Sequence, residues 1–270
     1  MSDPLGVVEG VREAVTVEGP GAKDFLQGIV SQDLDVLALG AARRAFLLGP
    51  QGKLRALLWV SGEGDRFTLY TDAGIGARVA ADLAYYKIRI KATISDPIPA
   101  YEVFGAEVGV AAPWPHLDRY LSTTLPSGLP FMARSTWDAW RIESGEPVMD
   151  RDVDEKTIPQ ETGLVGDAVS FSKGCYLGQE LVARLDSRQG RVNRHLRGLY
   201  LEGSAPVGST IAGEEGEVGV LTSAAWSERL QSDIGLALVH RRVEVDDYVT
   251  IAGYRARVAD LPLRAVNARS

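Results

Sequence analysis

The sequence predicts an α+β chain that closes with a compact antiparallel β-barrel. Three observations carry that expectation: a strand running straight into a helix at the start, strands joined by tight turns after it, and short β-rich runs over about the last 75 residues. Arg12 to Glu18 alternates Val15 and Val17 with polar residues, as a half-buried strand does. Gly19 and Pro20 stop it before a short helix carrying Phe25, Leu26 and Ile29. Ala45 to Leu48 and Leu54 to Val60 flank Gly49-Pro50-Gln51-Gly52, and Gly62 to Asp65 leads into Phe67 to Thr71, the pattern of an antiparallel meander. Ile75, Val79, Leu83 and Tyr86 recur at helical spacing and predict about four turns, followed by a strand over Ile88 to Ile94.

Asp96-Pro97 marks a break, and Pro97 to Pro130 has no sustained period from which to assign elements. Ser135 followed by Asp138 reads as a capping box, opening a short helix that holds Trp137, Trp140 and Arg141 and closes at Gly145 and Pro147. Pro159 to Gly163 reads as a loop. Beyond Asn193 the runs Leu196 to Leu201, Gly216 to Thr222, Ile234 to Val239, Asp247 to Ile251 and Ala256 to Val258 are separated mostly by glycines, so the boundary is expected there, with 1–192 before it and the barrel over 193–270.

Composition narrows the function classes. With 45% hydrophobic and 24% charged residues the chain is an ordinary globular one. Its formal charge of −7 argues against a protein built mainly to coat nucleic acid. No stretch approaches the roughly 20 apolar residues of a bilayer span, and Met1 to Glu9 lacks a signal-peptide layout, so a cytoplasmic location without membrane attachment is expected. Cys175 is the single cysteine, and His116, His195 and His240 are the only histidines, too few for a dedicated metal site that needs about four ligands. His116, after Pro113-Trp114-Pro115, reads as a surface or loop residue. Signatures of serine hydrolases, phosphate loops and dinucleotide folds are missing.

The stretch that concentrates chemistry is Lys173-Gly174-Cys175-Tyr176-Leu177-Gly178-Gln179-Glu180, standing before Leu181, Val182 and Leu185 at helical spacing. Near a helix N-terminus and beside Lys173, the Cys175 thiolate would be favoured over the thiol; alternatively Cys175 is a small buried hydrophobe with glycines on either side. Arg184, Arg188, Arg191, Arg194 and Arg197 recur at three- or four-residue intervals. If helical they share a face that suits phosphate, a polyglutamyl tail or RNA, and otherwise they are a solvated surface interrupted at Gly190. Arg141 beside Trp137 and Trp140 suits either a carboxylate-bearing fused heterocycle or an ordinary aromatic core.

The run Lys173 to Glu180 followed by Ala183-Arg184 is similar to the signature of the YgfZ family, folate-binding proteins related to the aminomethyltransferase (T-protein) of the glycine cleavage system and to a mitochondrial iron–sulfur assembly protein. Phe25-Leu26-Gln27-Gly28 with Asp33, Gly52-Lys53, and Arg141-Ile142-Glu143-Ser144-Gly145 resemble its early helix, hairpin and central motif, and Val220 to Ser223 and Ile234 to Leu238 its barrel. The resemblance implies interleaved α+β, ferredoxin-like folate-binding subdomains plus the barrel, around a hole that receives tetrahydrofolate or a one-carbon derivative. On that basis Cys175 and Lys173 are the candidate catalytic residues, and Arg141, Trp140, Tyr176, Gln179 and Glu180 the candidate cofactor-binding ones. Iron–sulfur client or assembly proteins are the implied partners, with RNA contact through Arg184, Arg188, Arg191 and Arg194 as a further one. The T-protein hairpin carries acidic residues where this chain reads Leu54-Arg55-Ala56, which separates it from the T-protein reaction. The expected role is an accessory one in iron–sulfur maturation and tRNA modification; a folate-dependent one-carbon transferase and a non-catalytic protein- or RNA-binding scaffold are the alternatives.

Overall fold

The computed structural model describes residues 4–187 and 192–265. Its internal contacts divide the chain into two units: Met1–Met132 with Glu155–Pro159 and Leu164–Gly190, and Ala133–Asp154 with Gln160–Gly163 and Arg191–Ser270. The barrel strands start where the composition changes, but the stretches around 133–154 and 160–163 belong with the barrel as well.

The first unit holds β1 (Gly6–Glu18), α1 (Ala22–Gln27), β2 (Arg43–Leu48), β3 (Leu54–Glu63), β4 (Arg66–Asp72), α2 (Gly76–Tyr86), β5 (Thr93–Ile94), β6 (Ile98–Phe104), β7 (Val110–Ala111) and β8 (Arg119–Ser122). The strands form one sheet in the order β2-β3-β4-β1-β6-β8-β7, with β5 paired to β1. β1 is central because its apolar side chains are covered on both faces: Ala14, Val15 and Val17 have no exposed surface. It starts six residues before Arg12, and a register shift between Val8 and Arg12, with Gly10 at φ 68°, breaks the alternation that would have shown it.

Three other expectations are corrected. The unassigned stretch supplies β6, the second neighbour of β1; Pro97 sits just before the strand and Pro99 is its second residue, close to the end where a missing N–H costs least. α2 has eleven residues, about three turns rather than four. Ile88 to Ala92 is not strand, because Arg89 takes a left-handed φ of 58° and the N–H groups of Ile88 and Ala92 close tight turns onto Tyr86 and Ile90.

Inside the sheet lies a charged core that the sequence did not disclose. The Arg12 guanidinium meets Asp72 of β4 at 2.5 Å and Glu102 of β6 at 2.6 Å, and Glu102 also accepts from Arg119 of β8 at 3.0 Å. Arg119 lies over the rings of Trp59 and Trp114 at 4.7 and 4.4 Å. All four charges are buried, so each is held by its partners rather than by water.

The second unit begins with α3 (Arg134–Ser144), and its barrel comprises β9 (Arg194–Leu201), β10 (Thr210–Gly213), β11 (Gly216–Ser227), β12 (Ser232–His240), β13 (Tyr248–Ile251) and β14 (Tyr254–Ala259), closed in the order β10-β11-β12-β9-β14-β13. Closure leaves no sheet edge and encloses Leu199, Ile211, Leu221, Ala237, Ile251 and Val258. α3 packs its buried Ile142 against Leu196, Ile234 and Leu236. Gly145 ends the helix at φ 75°, its N–H on the Ile142 carbonyl and the Glu146 N–H on that of Arg141. The expected capping box is absent: Ala133 is the N-cap, and the Asp138 carboxylate accepts from Arg141 and Arg151 at 2.7 and 2.8 Å, two charged donors in place of one backbone N–H.

Candidate functional site

Three motif-bearing stretches of the first unit converge. α4 (Val165–Ala168) and α5 (Gln179–Asp186) bracket a strap, residues 169–178, that crosses the loop after α1. The Leu177 N–H bonds the Gly28 carbonyl at 3.0 Å, and the Lys173 ammonium donates to the carbonyls of Val30 and Gln32 at 2.9 and 2.8 Å. At the strap's near end, the Ser170 N–H bonds the Ser31 carbonyl and the Ser31 hydroxyl bonds that of Ala168. Gln27 braces the same loop, donating to the Asp33 carboxylate at 2.7 Å and accepting from the Leu34 N–H at 2.9 Å. The Gln27 amide, with the Asp35 N–H, holds the Asp33 carboxyl below its ordinary range.

Gly178 ties the strap to the β2–β3 hairpin. Its φ of 78° is left-handed, and a Cβ there would lie 2.6 Å from the Gly49 carbonyl oxygen and 2.9 Å from Leu48 Cβ. Gly178→Ala is therefore expected to lower stability by about 1–3 kcal/mol from the backbone conformation alone, with the clash adding to it; a denaturant titration checks this.

Within this frame Cys175 is exposed, which excludes the buried-hydrophobe alternative. It stands three residues ahead of Gly178, the N-cap of α5, and so outside the first turn where the helix dipole acts. Lys173 is buried, its ammonium fixed on the two carbonyls and 5.4 Å from the Tyr176 ring. Burial lowers its pKa to about 8, against the opposing charges of Asp33 and Asp35. Lys173 is thus the bolt that holds the strap. Tyr176 is buried as well, its phenol pushed up to about 12 by desolvation. Gln179 accepts the Tyr176 N–H at 3.2 Å, and Glu180 is exposed in the first turn of α5.

Arg141 lies in the second unit with no exposed surface. Its guanidinium donates to Asp138 at 2.7 Å, to Asp152 at 2.8 Å, to the Glu146 carbonyl at 3.3 Å and to Ser223 of β11 at 2.7 Å, and it sits 5.4 Å from the Trp137 ring. Asp152 in turn accepts from Thr222 and Ser223 at 2.6 and 2.5 Å. The central motif thus fastens α3 to the barrel, and Trp140 is half-buried on the same helix.

The arginine series is not one helical face. Arg184 is exposed on α5, Arg188 and Arg191 lie outside the described residues, and Arg194 and Arg197 are on β9, with Glu161 and Asp260 as partners at 3.0 and 2.6 Å. His116 is exposed in a turn, as read. At the hairpin position that carries acids in the T-protein, Arg55 is clamped by Asp82 at 2.8 and 2.9 Å and by Glu155 at 2.5 Å. None of the helices among the described residues is long and apolar enough to cross a membrane.

A family model described as the glycine cleavage T-protein C-terminal barrel domain matches residues 194–263, the span of the six barrel strands. The fold is that of the aminomethyltransferase class: the crystal structure of the glycine cleavage system aminomethyltransferase T from Bartonella henselae superposes with a TM-score of 0.80 at 19% identity, covering 95% of this chain and 85% of that one. Among curated proteins, the tRNA-modifying protein YgfZ of Edwardsiella ictaluri is 30% identical over 71% of this chain and 69% of its own length. The mouse mitochondrial iron–sulfur cluster assembly factor IBA57 is 28% identical over 84% of this chain and 75% of its own. A chloroplastic relative from Arabidopsis thaliana, 32% identical, is matched over 48% of this chain but 30% of its own length. The chain belongs to the YgfZ family.

Proposed function

We propose that this protein is a tetrahydrofolate-binding accessory factor of iron–sulfur cluster maturation, acting through its client enzymes on tRNA modification, with Cys175 as the working thiol. The observation that carries the reading is the exposed cysteine on a strap held by a buried lysine, a glycine contact and the loop after α1. Order around an exposed thiol is what a reactive position needs and a merely tolerated surface cysteine does not. Family membership supports it, since the relatives are a tRNA-modifying protein and an iron–sulfur assembly factor. One thiol cannot retain a cluster alone, so its role is transient ligation shared with a client protein.

For the ligand, Gln179 and Glu180 offer an amide and an exposed carboxylate next to each other, a donor and an acceptor that fit the carbonyl and amino groups of a pterin's amino-pyrimidinone edge. Arg141, wholly enclosed, acts as a positioning residue for the second unit rather than as a contact. The T-protein reaction is disfavoured because a guanidinium already clamped by two carboxylates occupies the hairpin. When bound, tetrahydrofolate would supply a one-carbon carrier or a structural ligand.

Calorimetric titration with tetrahydrofolate is expected to show saturable binding, and its absence with folded protein would remove the ligand reading. Cys175→Ser is expected to fold and bind as the parent does but to fail to restore iron–sulfur-dependent tRNA modification in a bacterium lacking its own YgfZ. Full restoration would sink the thiol reading.

A further inference from the structure

Leu83 to Ser95 contains no acidic residue in a chain whose net charge is −7, while Lys87, Arg89 and Lys91 alternate there with Ile88 and Ile90 after Tyr85-Tyr86. The structure presents much of this stretch outward. Tyr85 and Ile88 are 76% and 75% exposed, and Arg89 and Lys91 are exposed. Among the described residues neither Arg89 nor Lys91 has a carboxylate partner. Of the acids around the segment, Asp82 is clamped on Arg55, and Glu18, opposite Thr93, pairs with Arg66 at 3.1 Å; Asp96, just beyond Ser95, is exposed and pairs with neither Arg89 nor Lys91.

The segment is also fixed. Lys87 donates to the Ala92 carbonyl at 2.9 Å, the Gly21 N–H bonds the Lys91 carbonyl at 3.1 Å, and Arg89 sits in the left-handed region that a non-glycine residue avoids. The Tyr85 ring is set edge-to-face against Tyr86, centroids 5.0 Å apart. Both tyrosines border a cleft of about 340 Å³ whose other walls are Leu48, Pro50 and the Arg55–Asp82 pair. That volume is at the lower end of small-ligand sites. Its lining combines an aromatic flank, an apolar wall, and a donor and acceptor side by side.

We propose that this surface docks single-stranded RNA, with an unstacked base at the Tyr85 cleft and the adjoining phosphates on Arg89 and Lys91. An acidic protein would use the cations but has no call on a cleft flanked by an aromatic ring, whereas stacking plus backbone cations is the usual recipe for single strands. A duplex hides the base faces this geometry uses. The proposal is independent of the ligand reading above.

The test measures fluorescence anisotropy of a labelled oligouridylate of about 12 nucleotides, within the site sizes of single-strand binders, over about 50 to 200 mM salt. Tyr85→Ala is expected to weaken binding roughly tenfold at unchanged salt slope. Arg89→Gly with Lys91→Gln is expected to make the slope of log K against log salt less negative by about 1.4, two phosphate contacts' worth. Arg89→Gly suits the left-handed backbone, so its melting temperature should not fall, which guards against misreading a folding defect. Tetrahydrofolate titration of the double variant should match the parent. Three results would overturn the proposal: no saturable binding by the parent at low salt, variants that bind as the parent does, or competition by duplex RNA or polyglutamate equal to that of the oligouridylate.

Discussion

Arg141→Ala is expected to destabilise the second unit by about 3–5 kcal/mol, because it strips the countercharge from a carboxylate that has no water to turn to. Asp152 is 2% exposed and Arg141 is fully buried. The guanidinium gathers four acceptors, from Asp138 and Glu146 around α3, from Asp152 after it and from Ser223 on β11. Removing it leaves Asp152 with neutral donors only, the hydroxyls of Thr222 and Ser223 and the Val148 N–H. Denaturant unfolding followed by tryptophan fluorescence reads the loss. A paired change, Arg141→Met with Asp152→Leu, is expected to recover most of it, since replacing both charges leaves none stranded. A loss below about 1 kcal/mol in the single variant would show the network to be hydrated. The consequence for function is practical: weaker folate binding by Arg141→Ala would report lost support of the second unit as readily as a lost contact, so the single variant cannot by itself mark the ligand site.

Lys173→Met should lower stability by about 2–4 kcal/mol, the cost of leaving two buried carbonyls without a donor, and it should change how stability varies with pH. The ammonium has carbonyls of Val30 and Gln32 as its acceptors, and burial lowers its pKa from 10.5 to about 8. Below about 8 the lysine is protonated folded and unfolded, so the difference between parent and variant is flat there. From about 8 to 10.5 the unfolded chain binds the proton more tightly, so the parent gains stability relative to the variant as pH rises, and above 10.5 the difference is flat again. The neutral amine still donates two hydrogens, one for each carbonyl. Equilibrium unfolding of both proteins at pH 7 and at about 10 tests the sign; a gap that narrows with rising pH would contradict a desolvated ammonium. The strap would also loosen around Cys175, so thiol alkylation should quicken in the variant while the parent stays slower.

Much of the frame was written in local chemistry. The hairpin meander β2-β3-β4 follows from short apolar runs around Gly49 to Gly52 and Gly62 to Asp65, and the barrel strands from β-rich runs separated by glycines, because strand and turn signals act over a few residues. Gly145 closing α3 was equally visible, since a left-handed C-cap calls for glycine. The family signature located the strap. β6 and the first half of β1 were hidden, for prolines and a glycine bulge interrupt the very alternation that reveals strands. β10 buries Ile211 alone and so shows no alternation, whereas β13, of the same length, alternates with Val249 and Ile251 inward.

What tertiary structure alone decided was the partner of each charge. By sequence, Lys173 is a cation beside Cys175; folding turns it onto the carbonyls of Val30 and Gln32, more than 140 positions away. Arg141 reads as a ligand-seeking residue, yet Asp152 and Ser223 enclose it. Arg12, Asp72, Glu102 and Arg119 are unremarkable in the sequence, and only the register of β4, β1, β6 and β8 brings them together. The physical reason is one of range. Backbone conformation answers to neighbours a few residues away, while a buried charge must find its partner wherever the fold puts one, and no local pattern names that partner.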